Sequence, residues 1–171
     1  GITAAAPRIS VPGQVYLDDE RYFLSGMAID PGLEREYQDI DSRIDRGRLP
    51  KKGENEAALG MAAAERMGLG IGDTFTMLTK TMYRGTNAVT FTLTGIVNFP
   101  VDSLNMNTFY APLDRMQYIL RMDNAVTEIL IRTDGKTSLE TTAAAVRSAL
   151  TGIGPEMENL EVKTWNKIPT S

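Results

Sequence analysis

The amino-acid sequence predicts an α+β fold in two lobes. An α/β lobe built from residues 1–32 and 108–171 is interrupted by an inserted, mostly β lobe over residues 33–107. Three observations carry that reading. Val89, Phe91, Leu93 and Val97 alternate with Thr90, Thr92 and Thr94, the period of two that lines one face of a half-buried strand. Just before them, Ala-Ala-Leu-Gly-Met-Ala-Ala-Ala-Glu-Arg-Met-Gly describes a short strand, a helix over 61–67 and a stop at Gly68. After Thr108 the pattern becomes strand, helix, strand, helix, strand, as in an α/β lobe.

Taken in order, residues 2–9 are extended and punctuated by Pro7, and Val11-Pro12-Gly13 reads as a turn. Val15-Tyr16-Leu17 and Tyr22-Phe23-Leu24 flank Asp18-Asp19-Glu20-Arg21 and suggest a hairpin with a charged tip. Asp30-Pro31-Gly32 is a stop. Leu33, Tyr37, Ile40 and Ile44 are spaced as one face of a helix over 33–45, ended by Gly47 and a solvated Pro50-Lys51-Lys52-Gly53 loop. A turn at Gly72-Asp73 launches a strand over 74–79, and Gly85-Thr86-Asn87 turns it into a second over 89–97. Residues 99–107 read as a loop. A strand over 108–111 follows, and Pro112 fits the first turn of a helix faced by Leu113, Met116 and Leu120. A strand over 126–132 closes at Asp134-Gly135. Thr137 and Glu140 then have capping-box spacing for a helix faced by Leu139, Ala143, Val146 and Leu150. Gly152 and Gly154-Pro155 end that helix, and residues 160–165 read as a last strand that Trp165 anchors in the core, its indole N–H paired.

Composition narrows the chemistry. The chain has 171 residues, 42% hydrophobic and 23% charged, which is globular. A net charge of −4 disfavours a nucleic-acid partner, which needs a basic face to displace counterions. The arginines at 8, 21, 35, 43, 46 and 48 are scattered among acids and form no stripe with aromatics. The chain contains neither cysteine nor histidine. Disulfides, thiolate nucleophiles and Ser-His-Asp triads are therefore excluded within it. No apolar run approaches the roughly 20 residues that span a bilayer. The chain opens at Gly1 with no signal-peptide pattern and reads as a piece of a longer protein.

Each candidate site has a plainer reading beside it. Gly68-x-Gly70-x-Gly72 superficially matches a phosphate loop, but it follows a helix and precedes a strand, so these are cap and turn glycines. Asp39-x-Asp41-x-x-x-Asp45 has acidic spacing suggestive of calcium, yet Ile44 stands where an EF-hand loop needs glycine. Asp18-Asp19-Glu20 is a carboxylate cluster at a presumed hairpin tip, where a soluble turn is the simpler account. No catalytic, cofactor or metal residue is assigned. Phe99, Leu104 and Met106 stand in a presumed loop where no packed helix face explains them. They are read either as packing between lobes or as an interaction surface for a partner or lipid-like ligand.

Several short signatures run in order along the chain: Pro7-Arg8-Ile9, Gly26-Met27-Ala28-Ile29-Asp30-Pro31, Gly47-Arg48, Leu59-Gly60, Ala63, Gly68-Leu69, Gly72-Asp73, Gly95-Ile96, Tyr110-Ala111-Pro112-Leu113, Gln117 and Thr164-Trp165. Together they resemble the extracytoplasmic core domain of FtsX-like ABC-transporter permeases, the MacB and LolC/LolE group. The resemblance implies two lobes, a Porter-like lobe holding both ends of the chain and a Sabre-like lobe in the middle. It implies a place in the cell membrane with this domain on the periplasmic or extracellular side, and mechanotransmission for lipoprotein release or substrate export. It also implies that the domain is not an enzyme and needs no cofactor. The implied partners are a cytoplasmic ATP-binding subunit reached through the membrane part of the parent chain, a second permease copy, and a lipoprotein or periplasmic adaptor. Two other readings compete: a free-standing extracytoplasmic ligand-binding or adhesion module that uses residues 99–107, and a hydrolase working through carboxylates alone.

Overall fold

The computed structural model describes residues 1–157 and 159–167. It is a mixed α/β fold. Strand β1 (Ile2–Leu17) runs straight through the expected turn at Val11-Pro12-Gly13. Gly13 serves close approach instead: a Cβ there would run into the Met77 sulfur. The predicted hairpin forms, with β2 (Glu20–Ile29) paired in a register that sets Leu17 opposite Glu20. Only Asp18 and Asp19 remain for the turn, at φ 50° and 63°, the left-handed pair that matches strand twist in a two-residue hairpin.

Asp30 then caps a helix rather than merely stopping a strand. Its carboxylate accepts from the amides of Gly32 (3.0 Å) and Leu33 (3.2 Å), and Pro31 occupies the first turn of α1 (Pro31–Tyr37). The helix expected over 33–45 ends at Tyr37, where Gln38 turns extended. A 3₁₀ turn (Ile40–Arg43) and strand β3 (Ile44–Gly47) follow. The four-three-four spacing is real, but Ile40 is buried by the 3₁₀ turn and Ile44 pairs with Val97.

Strand β4 (Glu56–Gly60) and helix α2 (Met61–Met67) match expectation, and Gly68 closes the helix at φ 65°. Strands β5 (Thr74–Lys80) and β6 (Thr86–Val97) form the Thr-rich ribbon. Its turn spans 81–85, earlier than the expected 85–87. Val89, Phe91, Leu93 and Val97 are buried, while Thr76 and Thr90 share a 2.8 Å hydroxyl hydrogen bond on the opposite face. The expected loop over 99–107 contains a helix, α3 (Asp102–Asn107). The buried Asn105 organises it, accepting from the Phe99 amide (2.7 Å) and donating to the Phe99 carbonyl (2.9 Å).

Strand β7 (Thr108–Pro112) leads into α4 (Leu113–Leu120), with Leu113, Met116, Ile119 and Leu120 buried. Pro112 stands at the cap position, one residue ahead of the helix. Strand β8 (Glu128–Thr133) precedes α5 (Leu139–Ile153). Ser138, not Thr137, caps α5 and accepts from the Thr141 amide at 3.1 Å, so the expected capping box is one residue out of place. Among the described residues from 160 to 165 there is no strand, and Trp165 is 74% exposed rather than a core anchor.

The strands share one sheet in the order β2-β7-β4-β6-β5-β1-β8, with β3 on β6. Because β1 also pairs with β2, six strands close into a ring. The main core lies on one face of that ring and includes Val15, Met77, Phe91 and Phe109, with α2 and α4 contributing Ala63, Met67 and Met116. Alternate residues of the same strands face a second cluster. Ala58, Val97, Tyr110 and Ile29 meet Ile40 and Leu49 there, so β4 and β7 are buried on both faces.

The chain separates into two compact units. The larger, Ala4–Ile131, contains both cores. The smaller joins Gly1–Thr3 to the described residues from Arg132 onward. Within it the Thr3 hydroxyl donates to the Arg132 carbonyl (3.3 Å), and Arg147 on α5 donates to the Val162 carbonyl (2.8 Å).

Candidate interaction surfaces

The structure divides the three residues singled out for an interaction surface. Phe99 is half-buried against the second core, its ring 6.2 Å from that of Tyr110. Leu104 and Met106 are exposed on α3, at 44% and 43%. Two residues apart on a helix is about 200° of rotation, so Leu104 and Met106 leave α3 on different sides. Val101, three residues before Leu104, is the exposed apolar neighbour on Leu104's side. The trio is thus one packing residue and two separate exposed side chains. The cause is the unforeseen helix, which sets Leu104 and Met106 at different angles about its axis.

The carboxylate clusters are dispersed in the same way. Asp18 and Asp19 form the hairpin turn, and Glu20 accepts from the Tyr22 hydroxyl at 2.8 Å. Asp41 pairs with Arg35 (2.7 Å) and Asp45 with its neighbour Arg46 (3.3 Å). Among the described residues no three acidic side chains converge to hold a metal ion. Gly68 and Gly72 are cap and turn glycines, and the Gly70 amide donates to the Asp73 carboxylate at 2.8 Å.

A charged constellation that the sequence hides lies in the interior of the larger unit. Glu34 on α1 is fully buried and receives Arg8 of β1 through both guanidinium Nε (3.2 Å) and a terminal nitrogen. Gln38 donates to the same carboxylate at 2.6 Å. Burial works against the Arg8 charge, but the hydrogen bond and field of Glu34 outweigh it and the net direction is upward. Burial also pushes the nearby Tyr110 phenol up. The network clamps β1 to α1.

Two clefts open on the larger unit. A small polar one of about 100 Å³ lies among Asp30, Lys52, Asp114 and Gln117, where one Asp114 oxygen is buried without a hydrogen-bond partner. A wider one of about 460 Å³ lies between the β5–β6 turn and the end of α4, walled by Tyr83 and Tyr118. With these surfaces defined, the comparison with known proteins is decisive for the family. A model of the MacB-like periplasmic core domain matches residues 2–149.

The chain belongs to the MacB-like periplasmic core domain family.

Solved structures agree on the fold. This MacB-like domain is similar to the periplasmic region of MacB from Actinobacillus actinomycetemcomitans, at 13% identity and a TM-score of 0.58, over 89% of this chain and 67% of that one. It is similar to the extracellular domain of the noncanonic ABC-type transporter YknZ from Gram-positive bacteria, at 12% identity and a TM-score of 0.62, over 89% and 78%. A permease-protein domain from Porphyromonas gingivalis aligns at 16% identity and a TM-score of 0.56, over 95% and 74%. None of the curated proteins matches the chain. Among the described residues no helix is long and apolar enough to cross a membrane.

One surface pair of the MacB-like domain makes its stability pH-dependent. Arg48 grips Glu56 with two nitrogens, at 2.7 and 2.8 Å, and the Lys51 amide adds a third donor at 2.8 Å. The hydrogen bond from Arg48 is the main reason the Glu56 carboxyl titrates below its ordinary 4.5. A depressed folded value means that the stabilisation is complete above the unfolded value and is lost as pH falls through the folded one. Glu56→Gln is therefore expected to lower the urea midpoint at neutral pH and to leave it unchanged once both carboxyl forms are protonated. Equal losses at neutral and acid pH would contradict this.

Sequence reasoning missed Tyr83, Tyr118 and the Arg8–Glu34 clamp. The tyrosines had a legible signal. Tyr118 falls off the Leu113, Met116, Leu120 face, and Tyr83 stands in a turn where strand alternation gives an aromatic no buried place. The clamp had none, since Glu34 looks like any solvated residue of a charged helix.

Proposed function

We propose that this chain is the extracytoplasmic domain of an ABC-transporter permease. It couples ATP-driven motion of membrane helices to lipoprotein release or substrate export on the outer side of the cell membrane. The observation that carries the reading is the family match over residues 2–149. Similarity to a MacB periplasmic region and to the YknZ extracellular domain supports it. On this reading the domain does no chemistry, in keeping with a chain that has no histidine or cysteine. ATP hydrolysis belongs to a partner subunit or domain, and a second permease copy and a lipoprotein or adaptor complete the machine. A Porter-like lobe over 1–32 and 108–171 and a Sabre-like lobe over 33–107 are part of the proposal and rest on the family resemblance, since the two compact units have other bounds. Mechanical coupling needs lobes that move as bodies with alternative arrangements.

The test uses the permease with its ATP-binding partner in membranes. This chain contributes no cysteine, so single introduced cysteines on the exposed hairpin at Asp19 report contacts cleanly. Cross-linking between copies, or to a co-purified adaptor, is expected to change in rate between nucleotide-free and ATP-bound transporter. Identical rates at Asp19 and at several other exposed positions would count against mechanotransmission.

A further inference from the structure

The wider cleft is the feature that neither the fold nor the family reading uses. The turn after β5 and the end of α4 are bolted together there. The Met82 backbone amide donates to the Leu120 carbonyl (3.0 Å), and the Asn87 side-chain Nδ2 donates to the Ile119 carbonyl (3.1 Å). Those are last-turn carbonyls of a helix, which lack partners within the helix itself. Joining them to the turn fixes the cleft's walls before anything binds. On those walls Tyr83 and Tyr118 are 74% and 73% exposed, and Met82 beside them is 62% exposed. Large side chains exposed side by side around one concavity form the kind of patch that marks an interaction site.

Charge selects the occupant. Arg121 and Asp123 line the cleft and offset one another. The Arg115 guanidinium lies 5.1 Å from the Tyr118 ring centre, and Arg84 follows Tyr83 in the turn. With Arg121 and Asp123 cancelling, Arg115 leaves the cleft one positive charge in surplus, on a chain whose net charge is −4. Exposed tyrosine, methionine and arginine, clustered around a pre-formed concavity, are the residue types that anchor protein partners. Arg121 (φ 57°) also holds left-handed backbone, which is unfavourable for arginine.

We propose that this cleft docks an acidic segment of a partner protein. The partner's aliphatic or aromatic side chain enters between Tyr83 and Tyr118, and its flanking carboxylates meet Arg115 and Arg121. The proposal stands independently of the transporter reading, because it rests on the larger unit's own surface.

The experiment is selection of random dodecapeptides displayed on phage against this chain, followed by titration of the enriched peptides. Enriched sequences are expected to place Asp or Glu around a large apolar residue. Tyr83→Ala and Tyr118→Ala are each expected to weaken binding about tenfold or more, as for interface anchors. Arg121→Glu is expected to abolish binding, whereas Arg121→Lys retains part of it. Affinity should fall several-fold from about 50 to about 300 mM salt, and Lys-for-Glu versions of the peptides should not bind. All four variants are at exposed positions and should keep the parent melting temperature, so loss of binding is not loss of fold. The proposal is overturned if no peptide is enriched, if enriched peptides bind equally to the Tyr118→Ala and Arg121→Glu variants, or if neutral oligosaccharides occupy the cleft in a parallel titration.

Discussion

Arg8→Met is expected to destabilise the domain by about 3–5 kcal/mol, among the largest effects of any single substitution. Arg8 is 8% exposed and Glu34 not at all, so removing the guanidinium strands a carboxylate inside the protein with Gln38 as its remaining partner. The cost is the desolvation of that charge, which the intact pair offsets by the two-point contact from Arg8. The same reasoning distinguishes the pair from its parts. Arg8→Met combined with Glu34→Leu removes both charges and should recover most of the loss, because well-packed apolar replacements of buried ion pairs are often neutral or better. Chemical denaturation of the two single variants and the double variant gives the coupling directly. If the double variant is as unstable as the sum of the singles, the two residues act independently and the clamp does not exist.

Phe91→Ala is expected to cost about 3–5 kcal/mol through the cavity it leaves. Phe91 is fully buried on β6 and stands between two other rings, 6.0 Å from Phe75 on β5 and 6.4 Å from Phe109 on β7. It therefore ties three strands of the closed ring through one side chain. Phe91→Leu keeps most of the volume and should cost clearly less. Guanidinium midpoints for the two variants separate a packing effect from a backbone one: similar losses would mean that β6 itself, not the ring contacts, had failed.

The sequence was most legible where one physical rule acts alone. Alternation identified β6, and a helix bounded by Gly68 identified α2 to the residue. The hairpin was visible from its charged tip because two consecutive aspartates tolerate the left-handed turn that two-residue loops require. Reading failed where long-range burial overrode local spacing. Leu33, Tyr37, Ile40 and Ile44 keep helical intervals, yet the second core draws Ile40 and Ile44 in through a 3₁₀ turn and a strand. Val11-Pro12-Gly13 has turn composition, but Gly13 is small because Met77 presses on it. Helix α3 stands where a loop is expected because it is held by one buried asparagine, and a single polar side chain leaves no periodic trace. The family signatures survived these errors because they lie at turns, caps and close approaches, such as Gly26 against Phe109 and Gly95 against the Arg48 carbonyl, where backbone geometry dictates the residue.

The ring closure also bears on a hazard carried by residues 86–97. Threonine, valine, phenylalanine and leucine in strict alternation, with no charge and no proline, make a strong template for amyloid-like stacking when a strand's amides and carbonyls are free. In the folded domain β5 covers residues 86–92 along one flank and β3 continues that flank over 95–97, while β4 covers the other flank from Thr92 to Val97, so the backbone groups at the C-terminal end of the segment are taken up on both edges. Closing the sheet upon itself thus shields residues 92–97 of this uncharged stretch on both edges, and leaves residues 86–91 with β5 as their one strand neighbour among the described residues.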